Sequence, residues 1–159
     1  MSAERSARVS LYSADQRRRR DRTVWTKVQA ILAPIQFAAF AISLVLVLRF
    51  VMTGAGYEAA TMSVLVKTAL LLTIMVTGAI WEKVVFGQFL FAPAFFWEDV
   101  VSFVVIALHL AYVWVLLTGR LGPDGQMLVA LAAYAAYVVN AGQFLLKFRA
   151  ARLGSQVPA

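Results

Sequence analysis

Residues 96–117 read FWEDVVSFVVIALHLAYVWVLL, and the class of fold turns on them. The charged side chains, Glu98 and Asp99, stand at the start of the stretch, and after Ser102 the apolar run is broken by His109. As a helix rising about 1.5 Å per residue, the stretch crosses a hydrocarbon core of about 30 Å. Three more stretches, 28–48, 60–80 and 127–146, are as apolar and as long. Of 159 residues 62% are hydrophobic and the mean hydropathy is +0.77, whereas soluble domains are about 45–50% apolar. A soluble chain of this size buries about two-thirds of the surface it exposes when unfolded. Lipid must cover the rest, and the expected architecture is all-α: a polytopic membrane protein built as a bundle of four transmembrane helices.

Glycine and proline make turns of 53–58 and 119–125. The connection between the second and third spans, 81–97, is aromatic and sparsely charged instead, a composition suited to the membrane interface. Lysine and arginine are retained in the cytoplasm. Twelve of the fifteen lie on the side of the two termini, Arg49 and Arg120 lie on the other, and Lys67 falls inside the second span. Both ends are therefore expected in the cytoplasm, with Glu82, Lys83, Glu98 and Asp99 on the same side. The chain divides into a basic N-terminal segment (1–27), a transmembrane domain (28–148) and a short tail (149–159).

The net charge of +7 is not the mark of a nucleic-acid partner, because the basic residues gather at the termini without interleaved aromatics. Without cysteine, disulfides, thiolate metal sites and cysteine nucleophiles are excluded. No Walker loop, dinucleotide fingerprint, zinc-hydrolase motif or serine elbow occurs.

The informative residues are polar groups inside the spans, each of which needs a partner or a purpose. At 100° per residue Glu98 and Ser102 each fall within about 20° of His109 on the third span, and Tyr112 within about 60° of it. Asp99 lies about 100° from Glu98, so the two neighbours face different ways. Adjacent carboxylates repel, which favours keeping a proton on one of them, and that suits an acid. The plainer reading of Asp99 is favourable charge at a helix N-terminus, and of His109 an interhelical hydrogen bond. Gln29, Gln36 and Ser43 recur on the first span, and Asn140, Gln143 and Lys147 cluster on the fourth, as polar faces that join helices. Lys67 is expected to snorkel to the outer surface.

Longer strings carry a likeness. Residues 75–99, from Met75 through Trp81, Glu82 and Lys83 to Phe96, Trp97, Glu98 and Asp99, resemble the 3-vinyl (also written 2-vinyl) bacteriochlorophyllide hydratase family of anoxygenic phototrophic bacteria. So do 15–21, 106–109 and 137–147. The likeness runs from about Leu11 to Leu153. It implies an enzyme that hydrates the 3-vinyl group of chlorophyllide a, or of 3-vinyl bacteriochlorophyllide a, to a 3-(1-hydroxyethyl) group on the route to bacteriochlorophyll a. The location it implies is the bacterial inner (intracytoplasmic) membrane.

Given that reaction, Glu98 or Asp99 is expected to donate the proton, with the other or Glu82 orienting water. His109 would ligate the magnesium that belongs to the chlorin substrate. Lys83 would pair with its propionate, and Trp81, Trp97, Phe96, Ser102 and Asn140 would border the ring. No cofactor is expected. Self-association, or association with other enzymes of the pathway, stays open. A non-catalytic pigment carrier for photosynthetic complexes is the alternative reading.

Overall fold

The computed structural model describes residues 10–155. It holds five helices: α1 (Ala14–Arg22), α2 (Val24–Thr53), α3 (Tyr57–Phe86), α4 (Phe96–Thr118) and α5 (Pro123–Ser155). The last four are the expected membrane spans, and the bundle is all-helical among the described residues. Each span outruns its apolar window because polar residues continue the helix beyond it. At 30 residues, α2 and α3 are about 45 Å long, enough to cross the headgroup layers as well as the core. Residues 149–155 of the expected tail continue α5, and residues 1–9 and 156–159 of the expected terminal segments lie outside the described part.

The ends of the helices are set by local chemistry. Ser13 accepts from the Gln16 amide and Gln16 returns a bond to the Ser13 amide, the capping box that starts α1. Thr23 closes α1 and starts α2 with a side-chain bond to the Trp25 amide. Gly87 ends α3 at φ 88°, left-handed backbone that glycine enters without steric cost.

Packing is closest within the pairs α2–α3 and α4–α5. Contacts of α2 with α5 and of α3 with α4 complete the bundle. The core draws on all four spans, with Phe40, Val47, Val64, Tyr112, Met127, Ala130 and Tyr134 at its centre. In each apolar window 22–28% of the residues are buried within the protein, so the outward faces, which carry Val45, Val66, Leu117 and Leu145, are left for lipid. The polar residues of the first span turn inward as expected. Gln29 donates to Thr77 (2.7 Å), and Ser43 bonds both Ser63 and Tyr134.

Lys67 departs from the snorkelling expectation. It is fully buried and its ammonium sits 3.6 Å from the centre of the Tyr137 ring. Placed well inside α3 and facing the bundle, it takes the aromatic face of α5 as its nearest partner instead of the aqueous boundary.

Candidate functional site

The polar stripe of the third span is the buried face of α4. Glu98, Asp99, Ser102, His109 and Tyr112 are all buried there, interleaved with Val105 and Val115. The 100° between Glu98 and Asp99 sends the two carboxylates to different neighbours. Glu98 faces α5, where its Oε2 lies 2.8 Å from the Lys147 ammonium, and Lys147 also donates to the Ala94 carbonyl. The backbone carbonyl of Glu98 accepts from Asn140 Nδ2 (2.9 Å) and from the Ser102 hydroxyl (2.7 Å). Ser102 and Asn140 thus tie α4 to α5 under the carboxylate.

Asp99 faces α3. Its carboxyl group lies beside that of Glu82, close enough for the two to interact. Both groups also grip the connection 87–95. Asp99 Oδ2 accepts from the Phe91 amide (2.8 Å) and Glu82 Oε2 from the Ala92 amide (3.3 Å). Phe91 is held at φ 58°, a left-handed conformation that costs a residue with a Cβ about 1–2 kcal/mol. The paired acids are therefore Glu82 and Asp99, from two helices, rather than the sequence neighbours Glu98 and Asp99.

The aromatic residues divide into two groups. Trp81, Phe86 and Phe95 meet edge to face with ring centroids 5.7–5.8 Å apart, and Trp81 Nε1 donates to Thr26 on α2 (2.9 Å). Phe96 and Trp97 instead point away from the bundle, 43% and 68% exposed, as an outer rim with Phe91 and Phe103. Lys83 is exposed and donates to the Gly87 carbonyl (2.8 Å), closing the end of α3.

His109 lies deeper, 1% exposed, with its ring 5.8 Å from that of Tyr134. Its Nδ1 is 2.8 Å from the Val105 carbonyl. A carbonyl only accepts, so Nδ1 carries the proton, and in the neutral ring Nε2 is a bare lone pair. That atom has no hydrogen-bond partner. It is the donor a metal in a macrocycle would need, and reaching it requires the surrounding helices to part. No grouping of three or more histidine or acidic residues suited to a metal occurs among the described residues.

Sequence reasoning missed two partners of the site. Lys147 was grouped with Asn140 and Gln143 by its spacing on one face, but that it answers Glu98 follows only from how α5 docks on α4. The second is Tyr12, 5% exposed, which stacks on Phe86 (5.8 Å, 19°) and joins Val85 and Phe95 in a small apolar cluster. With the Arg20 guanidinium 4.7 Å over its ring, it hooks α1 onto the end of α3.

The fold and site define a small polytopic membrane protein with an acidic centre at a bundle end, where carboxyl groups of two helices grip one connection. Residues 12–150 match the model of the 2-vinyl bacteriochlorophyllide hydratase family, and the chain belongs to that family. It is 69% identical over 153 residues to the 2-vinyl bacteriochlorophyllide hydratase of Rhodobacter capsulatus, covering 96% of this chain and 88% of that one. To the protein of the same name from Cereibacter sphaeroides it is 71% identical over 144 residues, 90% and 89% of the two chains. No solved structure matches it.

Proposed function

We propose that this chain is a membrane-embedded hydro-lyase that adds water across the vinyl group of a bacteriochlorophyllide. Its substrate is chlorophyllide a or 3-vinyl bacteriochlorophyllide a, and its product the 3-(1-hydroxyethyl) derivative on the route to bacteriochlorophyll a. Family membership supports the reaction, and the observation that carries the mechanism is the carboxyl pair of Glu82 and Asp99. Vinyl hydration needs a proton delivered to the terminal carbon, which leaves a cation on the inner carbon conjugated with the ring. Water attacks that carbon and loses a proton. With one proton on the pair, it can give that proton to the vinyl carbon and take one back from the attacking water, so the pair ends as it began. The change involves no oxidation or reduction, so it calls for no redox cofactor.

Glu98, neutralised by Lys147, positions α4 and α5 around the pair. His109 Nε2 is the ligand for the substrate's magnesium, and Lys83, free to leave the Gly87 carbonyl, meets its propionate. The inner aromatics Trp81, Phe86 and Phe95 flank the ring. The enzyme works in the bacterial inner membrane with both ends and the acid pair on the cytoplasmic side, a reading that rests on where the lysines and arginines lie. Membranes holding the protein are incubated with chlorophyllide a. A product heavier by one water, with its red band moved to the blue, supports hydration. Pigment that copurifies unchanged, with no product, refutes hydration and makes the chain a carrier.

A further inference from the structure

Helix α1 is tied to the bundle at both ends. The Tyr12 hook fixes its start, and at its end the Thr26 hydroxyl donates to the Arg20 carbonyl (2.6 Å) while accepting from Trp81. The arginines on it therefore occupy fixed places against α3. Arg18, Arg19 and Arg22, with Thr23 and Val84, line a concavity of about 360 Å³. Arg20 is taken by Asp21 (2.7 Å) and Arg18 lies 4.0 Å from Asp15. Arg19 and Arg22 have no acidic partner among the described residues.

We propose that this concavity binds the headgroup of an anionic phospholipid. Guanidinium groups match the oxygens of a phosphodiester in bidentate geometry. The site lies where α2 begins to cross the membrane, and the apolar side chains beside it, Val24 at 62% exposure and Val84 at 37%, face where acyl chains would lie. A basic cluster next to a span is drawn to anionic lipid. The pigment's own carboxylate is a poorer occupant. Val84 stands two residues beyond Glu82, about 200° around α3, so the concavity opens on the side of α3 away from the acid pair. A pigment with its vinyl group at Glu82 keeps its ring on the other side of the helix.

The test uses the full chain in nanodiscs of phosphatidylcholine with a minor share of phosphatidylglycerol, the retained lipid being read by native mass spectrometry. The parental protein is expected to keep phosphatidylglycerol selectively. R18Q/R19Q/R22Q should lose that selectivity about tenfold or more, and the single change R22Q should lose part of it. The charge-matched control R17Q/K27Q/R149Q should keep it. Equal loss in both triple variants would reduce the effect to bulk charge and overturn the site, as would parental protein that retains both lipids alike. Displacement of the lipid by inorganic phosphate would mark a site for free oxyanions, and displacement by chlorophyllide a site for the pigment's carboxylate. Either result overturns the lipid assignment. Circular dichroism of each variant verifies the helices, and R22Q, a single change at an exposed side chain, carries the test should the triple variant not fold.

Discussion

Glu82, near the end of α3, and Asp99, near the start of α4, accept from the adjacent backbone amides of Ala92 and Phe91 and so meet across the seam between two helical pairs. This pairing separates the three acids of the site by role. Replacing Glu82 or Asp99 with its isosteric amide keeps the shape but removes the transferable proton, and each variant should lose about 100-fold or more in kcat. Glu98→Gln, whose parent carboxylate is neutralised by Lys147, should lose far less. Initial rates of vinyl hydration decide it, and parental rates in both E82Q and D99N would refute the proton-sharing mechanism.

Lys147→Met leaves the buried Glu98 carboxylate without its cation. Breaking such a pair costs about 3 kcal/mol or somewhat more, and the double variant E98Q/K147M should recover most of that loss. Unfolding titrations in mild detergent on the two singles and the double supply the coupling directly. A lysine that contributes only surface charge would show none.

For His109 the informative comparison is between pigments. His109→Ala should weaken retention of magnesium chlorophyllide while leaving retention of its metal-free counterpart unchanged, because only the first uses the Nε2 lone pair. Equal retention of both pigments by the variant would remove the ligand role and leave the histidine as a packing group bonded to Val105.

Tyr12→Ala should free α1 from the end of α3 and expose the segment to limited proteolysis, whereas Tyr12→Phe keeps the stacking on Phe86 and should behave as the parent does. Burial pushes the Tyr12 phenol above its ordinary value. The neutral ring is thus favoured by folding, so this part of the stability is complete below about pH 10 and is lost as pH rises through the raised value. Protease sensitivity of the N-terminal segment measured across alkaline pH should rise accordingly, and should not do so in Tyr12→Phe.

Lys67→Met tests a buried cation whose Nζ has no hydrogen-bond partner. The contact with Tyr137 returns about 2 kcal/mol, less than the several kcal/mol typical of desolvating an ion. The variant should therefore be at least as stable as its parent. A clear loss of stability would show that the ammonium is held by more than the ring.

The spans and the inward polar faces were legible because lipid enforces them. A backbone that must satisfy its own hydrogen bonds can only be helical there, and hydropathy then locates the apolar part of each helix. The split between Glu98 and Asp99 was legible too, since it follows from 100° per residue. Which partner each acid would find was not. Glu82 meets Asp99 because the 87–95 connection folds back with Phe91 in left-handed backbone, and nothing in the residue type of a phenylalanine announces that conformation. Lys67 was misjudged because distance along a helix says how far a side chain must reach, not which way it faces. The hook at Tyr12 escaped notice for a related reason. A lone tyrosine in an arginine-rich segment has no periodicity, and its burial depends on an aromatic cluster assembled from other helices.

Helix α5 runs unbroken from Pro123 to Ser155, so its last two turns project from the bundle in fixed register with the helix that carries Asn140 and Lys147. A 17.5 kDa membrane protein is small for single-particle imaging. A rigid helical fusion partner spliced in phase at Gly154 would inherit the direction of α5 and report the orientation of the bundle. Because each added residue turns such a marker by about 100°, one or two inserted alanines would re-aim it without changing the sequence of the membrane spans.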